Sequence, residues 1–137
     1  MLLEGIKNKE SGRIINIIST SVKQPLNGLG VSNTIRGAVA NWAKTLANEL
    51  GPHNITVNNI LPGATNTGRL KEIINNKAKK LNLKESEIEK QMADQVPLKR
   101  IAKPVEVANA VVFLASNKAS YISGINLPVD GGRTKSL

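Results

Sequence analysis

Apolar residues crowd and then space out along this chain, and each change of rhythm marks an element. Ile14, Ile15, Ile17 and Ile18 crowd the run 13–19, which is β-branched, too short for a helix and preceded by a Ser11-Gly12 turn. That run predicts a buried parallel strand. Pro25, Asn27-Gly28 and Gly30 then punctuate a loop over 20–30. From 31 or 32 to 50 the apolar positions Ile35, Ala38, Val39, Trp42, Ala43, Leu46, Ala47 and Leu50 recur at helical spacing, the pattern of a helix with one buried face. Gly51-Pro52 ends it, because proline cannot continue a helix.

A second apolar run over 55–61, closed by Pro62-Gly63, predicts another strand. Strand, helix and strand make a βαβ unit, whose crossover is expected to be right-handed. The polar stretch 66–95 predicts two helices, about 68–81 and 85–95. Its low apolar content suits a segment that covers a site more than one that builds a core. Pro104 stands where a helix tolerates proline, and Val107, Ala108, Val111, Val112, Leu114 and Ala115 give that helix an apolar side. A short strand over 126–129 runs into Asp130-Gly131-Gly132, and the tail from 133 is expected to be mobile. No internal repeat, low-complexity tract or interdomain linker is evident.

Composition supports an ordinary core, since 40% of the 137 residues are hydrophobic and 21% charged. One Trp, one Tyr and one Phe leave that core to aliphatic side chains, as in buried parallel sheets. The absence of cysteine excludes disulfides and thiolate metal sites and fits a reducing, cytoplasmic setting. The longest uninterrupted apolar stretch, 110–115, is far below the roughly 20 residues of a membrane-spanning helix, and no signal peptide is seen. A net charge of +9 invites an anionic partner. The lysines of 71–103, however, alternate with Glu72, Glu85, Glu87 and Glu89 and lack stacking aromatics. They read as a solvated helical face, not a nucleic-acid surface.

Several short motifs follow one another at telling distances. Gly12-Arg13-Ile14-Ile15-Asn16-Ile17-Ile18-Ser19 is followed thirteen residues after Ser19 by Ser32-xxx-Arg36, then by Ala43-Lys44-Thr45-Leu46-Ala47-Asn48-Glu49-Leu50. Val57-Asn58-xxx-Pro62-Gly63-xxx-Thr67 and Val129-Asp130-Gly131-Gly132 complete the series. In order and spacing the whole chain resembles the carboxyl-terminal half of the short-chain dehydrogenase/reductase family, particularly its 3-oxoacyl-ACP reductase-like members. The resemblance implies an α/β fold corresponding to the carboxyl-terminal half of a Rossmann-like doubly wound parallel sheet. Residues 1–137 would then be a partial domain, without the glycine-rich nucleotide-binding half of that family.

The same resemblance implies an oxidoreductase that uses NAD or NADP on a small carbonyl or alcohol substrate and forms homo-oligomers in its full-length form. In this chain alone cofactor binding is expected to be weak or absent. Ser19 matches the family serine that hydrogen-bonds the substrate oxygen. Ser32 and Arg36 stand where the family carries the tyrosine and lysine of its catalytic motif. Pro62, Gly63, Thr65 and Thr67 match the turn that lies against the nicotinamide end of the cofactor, and Arg36 is the remaining candidate for ribose contact. No metal site is implied.

The substitutions bear on chemistry directly. A phenol with a pKa near ~10 can be drawn toward neutrality by a neighbouring cation, whereas an aliphatic hydroxyl is a far weaker acid. Arginine keeps the charge of lysine but has a fork geometry and releases no proton. Plainer roles stand beside each candidate: Ser19 as a strand-end hydroxyl serving a backbone group, Ser32 as a helix N-cap, Arg36 as a solvated side chain, and Thr67 as a helix cap. The single tyrosine, Tyr121, reads as a packing residue, Asp130-Gly131-Gly132 as a turn, and His53 as an exposed turn residue. The alternative function is a catalytically degenerate nucleotide-binding or oligomerising relative of the family.

Overall fold

The computed structural model describes residue 5 and residues 11–136. Three parallel strands form one sheet in the order β1 (Gly12–Ile17), β2 (Ile55–Pro62), β3 (Asn126–Val129). Gly12 faces Ile55 and Ile17 faces Ile60, while Asn59 faces Asn126 and Pro62 faces Val129. The central strand β2 is buried from Ile55 through Leu61. Its β-branched run suits a strand covered on both faces.

Side chains alternate along β2, and each set meets a different helix. Ile55 and Val57 pack on Ala43, Leu46, Ala47 and Leu50 of helix α1 (Gly30–Leu50), with Leu61 against Ala40. On the other face Ile60 packs on Leu114, with Val107 and Val111 beside it, from helix α4 (Pro104–Ala115). Small alanines on α1 let the helix lie close to the sheet, so the sheet is sandwiched between α1 and α4.

Between the layers runs a line of amides. Asn16 Nδ2 donates to Asn59 Oδ1 at 3.0 Å, and Asn59 Nδ2 donates to Asn126 Oδ1 at 2.8 Å. One asparagine from each strand thus joins a ladder across the sheet. On the opposite face the buried Asn58 donates to the Ile122 carbonyl at 2.8 Å and accepts from Ile125 N–H at 3.3 Å. It ties down the loop that leads into β3.

Helices α2 (Gly68–Leu81) and α3 (Glu85–Asp94) depart from expectation in one respect. They carry a small core of their own, in which Leu70, Ile74 and Ala78 pack on Ile88 with Met92 and Ile101 alongside. The 66–95 segment therefore does build core, because its few apolar residues are spaced to share one helix face.

Other expectations also change. The apolar stripe of α1 is wider than the surface that covers it: Ile35 and Trp42 are exposed, as are Val31 beside them and Ile17 on β1. Among the described residues β1 is parallel but paired on one side only. Tyr121 is fully exposed rather than packed. The tail is anchored, since Thr134 N–H donates to Asp130 Oδ2 at 2.8 Å and Lys135 N–H to Gln24 Oε1 at 3.1 Å. His53 is exposed in a short turn, as expected.

Candidate functional site

The candidate residues gather where β1 and β2 end. Ile18 N–H still donates to Ile60 O at 2.9 Å, so the chain keeps its register to the residue before Ser19. Ser19 then caps a single 3-10 turn, Thr20–Val22, its Oγ accepting from Ser21 N–H at 3.1 Å. This backbone role is the plainer one foreseen for it. It occupies the oxygen as an acceptor and leaves the Ser19 O–H free to donate.

Helix α1 begins earlier than its sequence suggests. Gly30 and Val31 already belong to it, Asn33 Nδ2 ties it to the Leu26 carbonyl at 2.9 Å, and Leu29 is its N-cap residue. Ser32 therefore lies inside the first turn and caps nothing. Its Oγ accepts instead from Arg36 Nε at 3.2 Å, the two residues being one turn apart on one face. Arg36 also donates from NH1 to the Ile18 carbonyl, which fixes the guanidinium against the end of β1.

The Pro62-Gly63 turn is fixed from two sides. Gly63 N–H donates to Val129 O at 3.0 Å, and a Cβ on Gly63 would stand 2.8 Å from Asp130 Cβ. Thr65 Oγ1 donates to Gly63 O at 3.1 Å. Thr65 also forms an isolated bridge with Ala102, within which Ala102 N–H donates to Ala64 O at 3.0 Å. Thr67 caps α2, accepting from Leu70 N–H at 3.3 Å. Asp130 completes the support as a turn. Burial pushes its carboxyl up, but hydrogen bonds from Thr134 and from the backbone N–H of Gly132 outweigh this and hold it below its ordinary value.

Two cavities share Ile17, Ile18 and Arg36 in their walls. The smaller, about 450 Å³, places Ser19 and Arg36 on one side and Pro62, Gly63, Thr65 and Thr67 on the other. The larger, about 930 Å³, runs between β1 and the start of α1 and holds Ser32 but not Ser19. Ser32 lines the larger space and Ser19 the smaller. The chemistry-bearing residues converge in the smaller space. Neither cavity is lined by a carboxylate, and among the described residues no cluster of His, Cys, Asp and Glu is fit to hold a metal. Among them, too, no helix is long and apolar enough to cross a membrane.

Arg69, Leu70 and Ile73 also line the smaller cavity, which sequence reasoning did not foresee. The signal was present. A helix capped by Thr67 must turn its first residues toward the cleft that Thr67 borders.

As a test of fit to a nicotinamide dinucleotide, the cleft offers a wall of turn backbone, two threonines and a cation. These suit the nicotinamide end. The phosphate-cradling glycine-rich loop has no counterpart in the sequence.

A family model described as enoyl-(acyl carrier protein) reductase matches residues 2–134. The chain is 38% identical over 132 residues to the NADPH-dependent reductase BacG of Bacillus subtilis, covering 96% of this chain and 51% of that protein. The solved structure of L-sorbose reductase from Gluconobacter frateurii, complexed with NADPH and L-sorbose, superposes with a TM-score of 0.93 at 35% identity. That match covers 99% of this chain and 52% of the other. An NADPH-bound short-chain oxidoreductase from Pseudomonas aeruginosa, described as containing an atypical catalytic centre, matches with a TM-score of 0.85 at 28% identity. It is covered over 51% of its length by 98% of this chain. The chain spans about half the length of the curated relatives it matches.

Proposed function

This chain belongs to the short-chain dehydrogenase/reductase family, and from that premise we propose that it forms the substrate-side half of an NAD(P)-dependent oxidoreductase acting on a carbonyl/alcohol pair. The observation that carries the reading is the convergence of Ser19, Arg36, Thr65 and Thr67 on one cleft at the strand ends, where doubly wound sheets bind their ligands. Ser19 donates its hydroxyl proton to the substrate oxygen. Arg36, Pro62, Gly63, Thr65 and Thr67 hold the nicotinamide end of the cofactor, which supplies or accepts the hydride when bound. The glycine-rich half that grips the phosphates comes from outside residues 1–137, and in full-length form the protein pairs with its own copies.

Proton transfer distinguishes this protein within that reading. Ser32 is a far weaker acid than a phenol, and its oxygen is already accepting from Arg36. Arg36 is always charged and transfers no proton. Turnover is therefore slow, by the ~10²–10⁴ that a placed general acid contributes, unless water in the cleft delivers the proton. The position of Ser32 in the outer cavity, away from Ser19, also favours the second reading, a degenerate relative that retains nucleotide binding or assembly without catalysis.

The two readings separate in one assay. The chain is co-expressed with the nucleotide-binding half of a relative such as BacG, and loss of reduced nicotinamide absorbance is followed with a panel of ketones and aldehydes. Slow turnover that disappears in Ser19→Ala and rises in Ser32→Tyr with Arg36→Lys supports the oxidoreductase. Cofactor binding with no turnover in any variant supports the degenerate relative.

A further inference from the structure

One short motif in the loop before α1 takes no part in the cleft. The sequence holds sixteen asparagines, and Asn27 alone is followed by glycine. The pair matters chemically, because the main-chain nitrogen after an asparagine can attack that side-chain amide and close a succinimide ring. Asparagine is thermolabile for such reasons. Glycine hinders the attack least, having no Cβ beside the attacking atom.

The fold presents this pair at the centre of a turn. Leu29 N–H donates to Leu26 O at 3.3 Å, so residues 26–29 form the turn with Asn27 and Gly28 as its middle pair. Gly28 has φ +77° there, as a type II turn requires at that position. The turn's own hydrogen bond joins its outer residues and leaves the amide between Asn27 and Gly28 outside it. Asn27 is exposed, and a Cβ on Gly28 would meet nothing within 4 Å. The comparable Asp130-Gly131 pair is fastened instead. Asp130 accepts from Gly132 N–H at 3.0 Å and from Thr134 N–H at 2.8 Å, and a Cβ on Gly131 would stand 2.6 Å from Val96.

We propose that Asn27 is a site of spontaneous deamidation in this chain and that the change loosens the start of α1. The deprotonated Gly28 nitrogen attacks Asn27 Cγ, the new N–C bond closes a succinimide, the Cγ–Nδ2 bond breaks, and ammonia leaves with the proton that Gly28 gave up. Water then opens the ring. Attack at Cγ leaves aspartate, and attack at the main-chain carbonyl carbon leaves isoaspartate, whose backbone runs through the former side-chain methylene. That lengthened backbone acts on the helix start, because Leu26 O also accepts from Asn33 Nδ2 at 2.9 Å. Among the described residues no side chain caps α1 at Leu29. Stretching the turn parts Leu26 O from its two donors and frees the first turn of α1, which carries Ser32, the acceptor of Arg36 Nε at 3.2 Å. Gly28, Leu29 and Ser32 all line the larger cavity, so the change alters its wall. The inference does not depend on the oxidoreductase reading.

The test follows the chemistry in the unaltered chain. Purified chain is incubated in heavy-oxygen water at neutral and at mildly alkaline pH, then digested with trypsin in ordinary water. Tandem mass spectrometry of the peptide 24–36 locates the label, and an isoaspartyl methyltransferase reports isoaspartate. Label is expected at Asn27, faster at the higher pH, with Asn33 of the same peptide and Asp130 unlabelled. Gly28→Ala is expected to slow the conversion severalfold and Asn27→Gln to abolish it over the same period. In the converted chain the NMR signals of the Asn33 side-chain amide and the Arg36 Nε–H are expected to shift. Freshly prepared Asn27→Asp, which adds the charge without lengthening the backbone, should keep them near their original positions. Labelling no faster at Asn27 than at Asn33, or a rate unchanged in Gly28→Ala, overturns the site. Unmoved Asn33 and Arg36 signals in the converted chain overturn its effect on α1. Should Gly28→Ala fail to fold, the comparison of Asn27 with Asn33 within the unaltered chain still decides.

Discussion

Gly63 and Asp130 are in such close contact that the turn at the end of β2 has no room for a side chain. A Cβ on Gly63 would stand 2.8 Å from Asp130 Cβ and 2.9 Å from Asp130 Cα. The second contact is with backbone, which cannot rotate away. Gly63→Ala is therefore expected to destabilise the chain by about 1–3 kcal/mol, the usual cost of overpacking. Asp130→Gly in the same chain removes the side-chain contact but not the backbone one, and forfeits the bonds to Gly132 and Thr134. Thermal denaturation of the single and double variants should show no rescue. Full recovery in the double variant would mean that the turn shifts freely.

The amides of β2 give a second stability prediction. Asn58 is fully buried with both ends of its side chain bonded to the loop before β3. Asn58→Leu leaves the Ile122 carbonyl and the Ile125 N–H without partners, at about 1–3 kcal/mol for each buried unsatisfied group. Asn16→Ala, at the outer end of the ladder, removes one donor to Asn59 from a half-buried site and costs less. Denaturant unfolding should rank Asn58→Leu as the more damaging. The reverse order would show that the ladder, not the loop tie, holds β3.

Most of this architecture is legible in the residues themselves. The isoleucine runs, the proline and glycine stops and the helical spacing of 35–50 place the strands and α-helices described over 12–129 within a few residues. Period and punctuation are local properties, so sequence carries them. Ser32 misleads because an N-cap depends on where the chain enters the helix, and that is set by the bond from Asn33 to Leu26. Leu70, Ile74 and Ala78 form a stripe, but their partner Ile88 lies on another helix. The site divides in the same way. Ser19 and the Pro62–Thr67 turn are readable as a constellation, whereas the separation of Ser32 from Ser19 and the exposure of Tyr121 follow from tertiary placement alone.

Glu106 gives a prediction in pH. Its carboxyl is lowered from 4.5 to about 2, first by the Arg100 side chain and then by the Lys103 backbone N–H. Arg100 meets it through two nitrogens, at 2.7 and 2.6 Å. A carboxyl depressed in the folded state contributes stability that is fully present above its ordinary value near 4.5 and is lost as pH falls toward about 2. The pair is exposed, so the contribution is small. Carboxyl titration by NMR should find Glu106 near 2, and Arg100→Met should move it upward. A midpoint unmoved by that change would assign the shift to the helix-capping bond instead.

The last prediction concerns the open edge of the sheet. β1 pairs with β2 on one side, so on the other its alternate N–H and C=O groups point outward with no neighbouring strand among the described residues. Ile17 at the end of that edge is 54% exposed, and Val31, Ile35 and Trp42 of α1 are more or similarly exposed. A bare strand edge beside apolar side chains is a template for pairing with another chain, and nothing in β1 opposes it. Arg13, its one charged residue, turns its NH1 to the Gly12 carbonyl. The chain expressed alone is therefore expected to self-associate, with sedimentation showing species larger than 14.7 kDa that grow with concentration. Ile17→Lys places a charge on the edge and should shift the distribution toward monomer without lowering the melting temperature, because Ile17 contributes little to the core. Co-expression with the nucleotide-binding half of a relative should do the same by covering the edge. A monomer at every concentration, with a single cooperative melt, would mean that these residues satisfy their own edge and that the exposed face of α1 needs no partner.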